Sequence, residues 1–154
     1  MIKKILVPYD GSKHSDKVLE YALNLADKWD AALEILTVVP EESYVYAYRT
    51  GIDCSICKAK KELVHKYQHT FNVEREDILS SAFKMANEKY PDLDVTSKLL
   101  VGRPSDKIVE ECKKGNFDLI VMGNRGLGRV KGFLLGSVSQ RVSNDAECPV
   151  LIVK

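Results

Sequence analysis

Residues 122–138, MGNRGLGRVKGFLLGSV, hold four glycines and then the pair Gly136-Ser137, between a short apolar run and a predicted helix. That arrangement suits the binding of a phosphate. The run Leu119-Ile120-Val121-Met122 has the length and bulk of a buried parallel strand, and Gly123 and Gly126 follow where the chain must turn. Glycine there permits positive φ and lets the backbone approach a ligand closely. Gly136-Ser137 opens the segment Val138 to Asn144, so free amides and the positive end of a helix dipole point toward the same space. Gly123 to Gly128 repeats the glycine spacing of a Walker A loop, but Arg129-Val130 stands where Lys and Ser or Thr are required. Gly126 and Gly128 begin a dinucleotide fingerprint, but Lys131 takes the place of its third glycine and the loop follows a late strand. Glycines that merely end a strand and permit a turn are the alternative reading of this loop in isolation. Without the Walker lysine, backbone amides and Ser137 must hold any phosphate, which favours binding and switching over rapid phosphoryl transfer.

Asp10, in the loop Pro8 to Ser12, is the second chemically suggestive residue. A carboxylate beside a phosphate repels it unless it binds a divalent cation or hydrogen-bonds a ribose hydroxyl. The plainer reading makes Asp10-Gly11-Ser12 a turn in which Ser12 caps the next helix. A third group lies at Cys54, Cys57, His65 and His69, spaced C-x2-C-x7-H-x3-H. The two histidines share one helical face, and with two thiolates they supply the four ligands of a structural zinc site. On a single helix, however, Cys57 and His65 stand about 12 Å apart along the axis, so one ion requires a bend or a second subunit. A redox C-x-x-C pair is a further reading. Solvated histidines and ordinary cysteines are the leading one. Tyr44, Tyr46 and Tyr48 give the same segment the character of a lid or a protein-contact surface.

The elements that must position these residues alternate along the chain. Lys4 to Val7 reads as a strand, and Ser15 to Trp29 as a helix with Val18, Leu19, Ala22, Leu23, Ala26 and Trp29 on one stripe. Ala32 to Val39 is a second strand. Asp77 to Tyr90 is a helix that turns Ile78, Leu79, Ala82, Met85 and Ala86 inward and is closed by Pro91. Val95 to Val101 is a third strand. Ser105 to Lys114 is a helix with Ser105 as its N-cap and Ile108, Val109 and Cys112 buried. Leu119 to Met122, Ser137 to Asn144 and Val150 to Val153 complete five strands and four helices, a pattern that calls for a parallel α/β sheet covered on both faces. Ligands bind such sheets beyond the carboxyl ends of the strands, which puts Asp10 and the glycine loop on one edge.

At 154 residues the chain suits a single domain that buries roughly 70% of its unfolded surface. The formal net charge is +1 and the charges are interspersed, so neither nucleic acid nor any charge-driven partner is expected. Ile5-Leu6-Val7 is too short for a signal peptide or a membrane span, which makes the cytoplasm the expected location and the four cysteines reduced.

Gly123-x2-Gly126-x9-Gly136-Ser137 resembles the ATP-binding motif of the universal stress protein family at every glycine and at the hydroxyl. KKILVPYDGS at Lys3 to Ser12 is similar to that family's opening strand and loop. Val101 to Pro104, Asp118 to Gly123 and ECPVLIV at Glu147 to Val153 resemble its later blocks. The likeness covers everything except about residues 41–76, a family-atypical insert. It implies a Rossmann-like, adenine nucleotide α-hydrolase-like sheet in the order 3-2-1-4-5. It also implies that the amides of Gly123, Gly126, Gly136 and Ser137 hold ATP phosphates, with the Ser137 hydroxyl near the last. Asp10 would sit by the ribose or a Mg²⁺ or Mn²⁺ ion, Pro8 and Tyr9 would line the nucleotide, and the Val38 backbone would read adenine. Met122, Val138 and Ser139 belong to the same candidate site, and Arg125, Arg129 and Lys131 are candidate phosphate contacts. The implied assembly is a homodimer through the C-terminal strand.

Two functional classes follow. One is an ATP-binding regulatory or chaperone-like dimer with at most slow hydrolysis, since no residue near the loop is a dedicated general base. His14, the nearest histidine, starts a helix, where histidines are usually solvated. The other is an adenylating α-hydrolase-type enzyme, which would carry an SGGxDS-like loop where this chain has Tyr9-Asp10-Gly11-Ser12. A nucleotide-independent protein-interaction module is a third reading, opposed by the intact motif.

Overall fold

The computed structural model describes residues 1–40, 73–124 and 135–154. They form β1 (Lys4–Pro8), α1 (Lys13–Trp29), β2 (Ala32–Val39), α2 (residues 73–89), β3 (Val95–Val101), α3 (Pro104–Gly115), β4 (Leu119–Gly123), α4 (Ser137–Asp145) and β5 (Val150–Val153). The five strands make one parallel sheet in the order β3-β2-β1-β4-β5, as expected.

Alternation along the strands divides the core into two layers. Ile5 and Val7 of β1, Leu33 and Ile35 of β2, and Leu119 and Val121 of β4 pack against α1 and α2. Leu6, Leu36, Ile120 and Met122 point the other way, onto Ile108 and Cys112 of α3 and Val142 of α4. Strands covered on both faces must be apolar at successive positions, which is why KILVP and LIVM read as runs rather than as alternation. Each fully buried Ile, Leu or Val side chain contributes about 1.5–3 kcal/mol.

Three local expectations are corrected. Trp29 is 40% exposed and does not continue the buried stripe of α1, because Asp30 turns left-handed at φ 51° and carries Ala31, 1% exposed, into the core instead. Ser105 does not cap α3. The helix begins one residue earlier at Pro104, with Arg103 as the cap residue and its carbonyl accepting from the Lys107 amide at 3.0 Å. Proline suits that first position because its φ is already helical and it has no N–H to leave unpaired. Finally, α2 starts at residue 73, four residues before the expected start at Asp77.

At the amino ends of the strands, Asp118 Oδ2 accepts from the amides of Lys3 (2.8 Å) and Lys4 (3.0 Å), which fastens β4 to β1. These two backbone donors hold its carboxyl below the ordinary carboxylate range. The carboxyl ends are thereby aligned at the opposite edge, where β1 lies between β2 and β4.

Candidate functional site

Beyond the carboxyl ends of β1, β2 and β4 lies a cavity of about 520 Å³. Pro8, Tyr9 and Asp10 line it from β1, Val38 from β2, Met122 and Gly123 from β4, and Gly136, Ser137, Val138 and Ser139 from the start of α4. Arg125 and Gly126 fall outside the described residues, as do Arg129, Lys131, Tyr44, Tyr46, Tyr48, Cys54, Cys57, His65 and His69. Among the described residues, no three His, Cys, Asp or Glu side chains are grouped to hold a metal ion.

The β1–α1 turn realises the plainer reading of Asp10 and still brings that residue to the cavity. Asp10 Oδ1 accepts from the Ser12 amide at 3.0 Å, and the Ser12 hydroxyl oxygen accepts from the Ser15 amide at 3.1 Å to cap α1. Gly11 has φ +79°, and a Cβ there would lie 2.7 Å from the Ile78 side chain of α2, so any other residue would be strained and would push Ile78 aside. The Asp10 carbonyl accepts from Arg75 Nη1 at 2.8 Å.

Tyr9 is 8% exposed, and its hydroxyl donates to Asp16 Oδ1 at 2.6 Å. Burial first, and then that carboxylate, push its phenol well above the usual tyrosine range. Its ring therefore belongs to the core as much as to the cavity wall. Thr37 Oγ1 donates to the Tyr9 carbonyl at 3.0 Å, and the Tyr9 amide donates to the Leu36 carbonyl at 2.8 Å. In a parallel ladder, alternate residues turn both backbone groups to the same side, so Val38 directs its N–H and C=O as Leu36 does, past the last rung of β1. Those groups face the cavity edge, where a flat heterocycle with a donor and an acceptor would pair with them.

At the opposite wall, the Gly136 amide donates to the Asn124 carbonyl at 2.7 Å. This amide was expected to face phosphate and is instead spent on closing the loop. Gly136 has φ −71°, so a left-handed turn is not what its glycine provides. The first-turn amides of α4, at residues 137–139, have no acceptor within the helix and lie at its positive end. Ser139 Oγ reaches the carbonyls of Asn124 and Gly136, each at 3.0 Å, and ties the helix start to the end of β4.

Arg75 and His14 also line the cavity, outside the set of candidate site residues. Arg75 comes from a charged stretch, Glu74 to Asp77, with no local sign of a site; only the packing of α2 over the β1–α1 turn delivers it. His14 lines the cavity with Nε2 3.2 Å from the Val153 carbonyl, so it is held in place and not simply solvated. Its closeness in sequence to Asp10 was the available signal.

The doubly wound parallel sheet with a cavity at its switch point defines a Rossmann-like α/β fold. The universal stress protein family model matches residues 1–154, and the chain belongs to that family. It is 35% identical over 154 residues to universal stress protein MJ0531 of Methanocaldococcus jannaschii, covering 100% of this chain and 83% of that one. Universal stress protein UspA from Lactobacillus plantarum has the same fold, with a TM-score of 0.77 at 21% identity over 99% of this chain and 98% of that one. A universal stress protein solved in complex with cAMP matches at 27% identity and a TM-score of 0.69, over 99% of this chain and 96% of that one. No described helix is long and apolar enough to cross a membrane.

Proposed function

We propose that this chain binds ATP with Mg²⁺ or Mn²⁺ in the cavity between the ends of β1, β2 and β4 and the start of α4. It then acts as a cytoplasmic homodimer with a regulatory or chaperone-like role, switched by the bound nucleotide. The observation that carries the reading is the cavity itself: about 520 Å³, the size of a small-ligand site, with three kinds of wall that match the three parts of a nucleotide. The Val38 backbone suits adenine. Asp10 suits a ribose hydroxyl or the metal ion. Gly123, Ser137 and the first-turn amides of α4 suit phosphate, with the loop glycine Gly126 adding a further amide. The complex of a 27% identical relative with cAMP supports an adenine nucleotide as the ligand class.

At most slow turnover is proposed: His14 Nε2 is held by the Val153 carbonyl and Asp10 Oδ1 by the Ser12 amide, so each bond commits one atom of a possible base to the fold. Adenylating chemistry is less well supported, because the β1–α1 loop offers only one glycine, Gly11, and Ile78 packs over it.

Mass spectrometry of nucleotide retained through purification, with calorimetric titration of Mg·ATP, tests the assignment. Wild type is expected to bind, and Gly123→Val combined with Gly126→Val to abolish binding while circular dichroism is unchanged. Equal affinity in the two proteins rejects the site.

A further inference from the structure

Cys112 and Cys148 take no part in the proposed site, yet they meet across the molecule. Cys112 lies in the penultimate turn of α3 and is 4% exposed, while Cys148 is half-buried in the segment that leads into β5. Their sulfurs are 2.8 Å apart, and both are free thiols. The neighbouring residues meet as well, since Lys113 Nζ donates to Glu147 Oε1 at 2.6 Å. Two consecutive residues of α3 thus face two consecutive residues before β5, on the layer of the core formed with α4. That junction holds the thiols together without any covalent bond, so closing one requires little further ordering of the chain.

We infer that Cys112 and Cys148 form a reversible intrachain disulfide when the protein meets a two-electron oxidant such as hydrogen peroxide. Cys148, the more accessible of the two, reacts first. Its thiolate attacks one peroxide oxygen, the O–O bond breaks, hydroxide leaves, and the sulfur becomes a sulfenic acid. The Cys112 sulfur then attacks the Cys148 sulfur, the S–O bond breaks, and water leaves carrying the Cys112 proton. The two sulfurs have together lost two electrons, and a dithiol reductant returns both thiols by exchange. Burial, with Cys148 beside it, pushes the Cys112 thiol up to about 12, so Cys112 is the less reactive of the two toward peroxide, and its 2.8 Å separation from Cys148 places it for the second step. The bond would close a loop over residues 113–147, which contains Gly123, Gly136 and Ser137. Oxidation would therefore tether the segment that forms one wall of the cavity.

The test is peptide mapping of the full-length native protein without reductant, before and after hydrogen peroxide. The expected product joins the peptide with Cys112 to the peptide with Cys148, lacks two hydrogens, and disappears with dithiothreitol. In Cys112→Ser, a dimedone adduct should accumulate on Cys148. A sulfinic acid on Cys148 with Cys112 still free in wild type would overturn the inference. So would linkage of either cysteine to Cys54, to Cys57 or to a second chain. Equal peroxide reactivity of Cys112 in Cys148→Ser would overturn the order of the steps.

Discussion

Arg75 Nη1 donates to the Asp10 carbonyl across 2.8 Å, and this bond joins α2 to the turn that carries the only cavity-lining carboxylate among the described residues. The turn is otherwise set by local bonds, from the Ser12 amide to Asp10 Oδ1 and from the Ser15 amide to the Ser12 hydroxyl. Local bonds shape the turn; the arginine fixes it against the rest of the fold.

Removing that arginine should therefore affect both ligand and fold. Arg75→Ala loses a part-buried hydrogen bond from a charged donor, with an expected cost of about 1–2 kcal/mol in stability. Calorimetry should show Mg·ATP affinity reduced about tenfold as the Asp10 turn loosens. Unchanged affinity with lowered stability would assign Arg75 to the fold alone.

Glu34 gives a pH-dependent prediction. Its Oε1 is buried without a hydrogen-bond partner, on the layer that α3 covers, while Lys98 Nζ donates to Glu111 Oε1 at 2.6 Å nearby. Burial raises the Glu34 carboxyl above its usual range, and the Glu111 carboxylate adds to the rise. A carboxyl that is harder to ionise in the folded state costs stability once it is charged. The native protein should therefore lose stability as pH rises from the unfolded carboxyl range through the raised folded value. Glu34→Gln should be more stable than wild type by about 1 kcal/mol at pH 7, and the difference should shrink toward pH 4. Urea unfolding at the two pH values measures it; equal differences at both would remove Glu34 as the cause.

The strand β5 makes the proposed dimer testable without disturbing the sheet. The carbonyls of Pro149 and Val153 accept from the amides of Ile120 in β4 and of Asn124 just beyond it, each at 3.0 Å, so Val150 and Ile152 turn their backbone groups to the far edge, where no described strand pairs with β5. An apolar edge with free backbone groups invites pairing with a second copy. Ile152→Pro removes one outward N–H and leaves the β4 ladder intact. Light scattering after size exclusion is expected to give a dimer for wild type and a folded monomer for the variant. A monomeric wild type would reject the interface.

Elements and layers were legible from the residues alone because burial repeats along each element: Val18 to Ala26 mark the covered face of α1, and LIVM at 119–122 marks a strand covered twice. The candidate site was legible to the extent that its residues sit at strand ends and helix starts, which is why Pro8, Asp10, Val38, Gly123 and Ser137 could be named and all line one cavity. Helix ends were less legible. Pro104 rather than Ser105 starts α3, and Trp29 emerges to solvent, because the capping geometry depends on how the chain leaves the helix and not on periodicity.

Only the tertiary structure decided which groups meet. Arg75 reaches Asp10 across 65 positions, Cys148 reaches Cys112 across 36, and the Gly136 amide is taken by Asn124. Such pairings arise from the packing of whole helices against the sheet, a long-range property that no local spacing encodes. The sequence by itself determined that Gly123 and Ser137 would lie on the same edge of the sheet as Asp10. Packing determined that the Gly136 amide closes the loop onto Asn124, and no spacing of glycines foretells which amide is taken in that way.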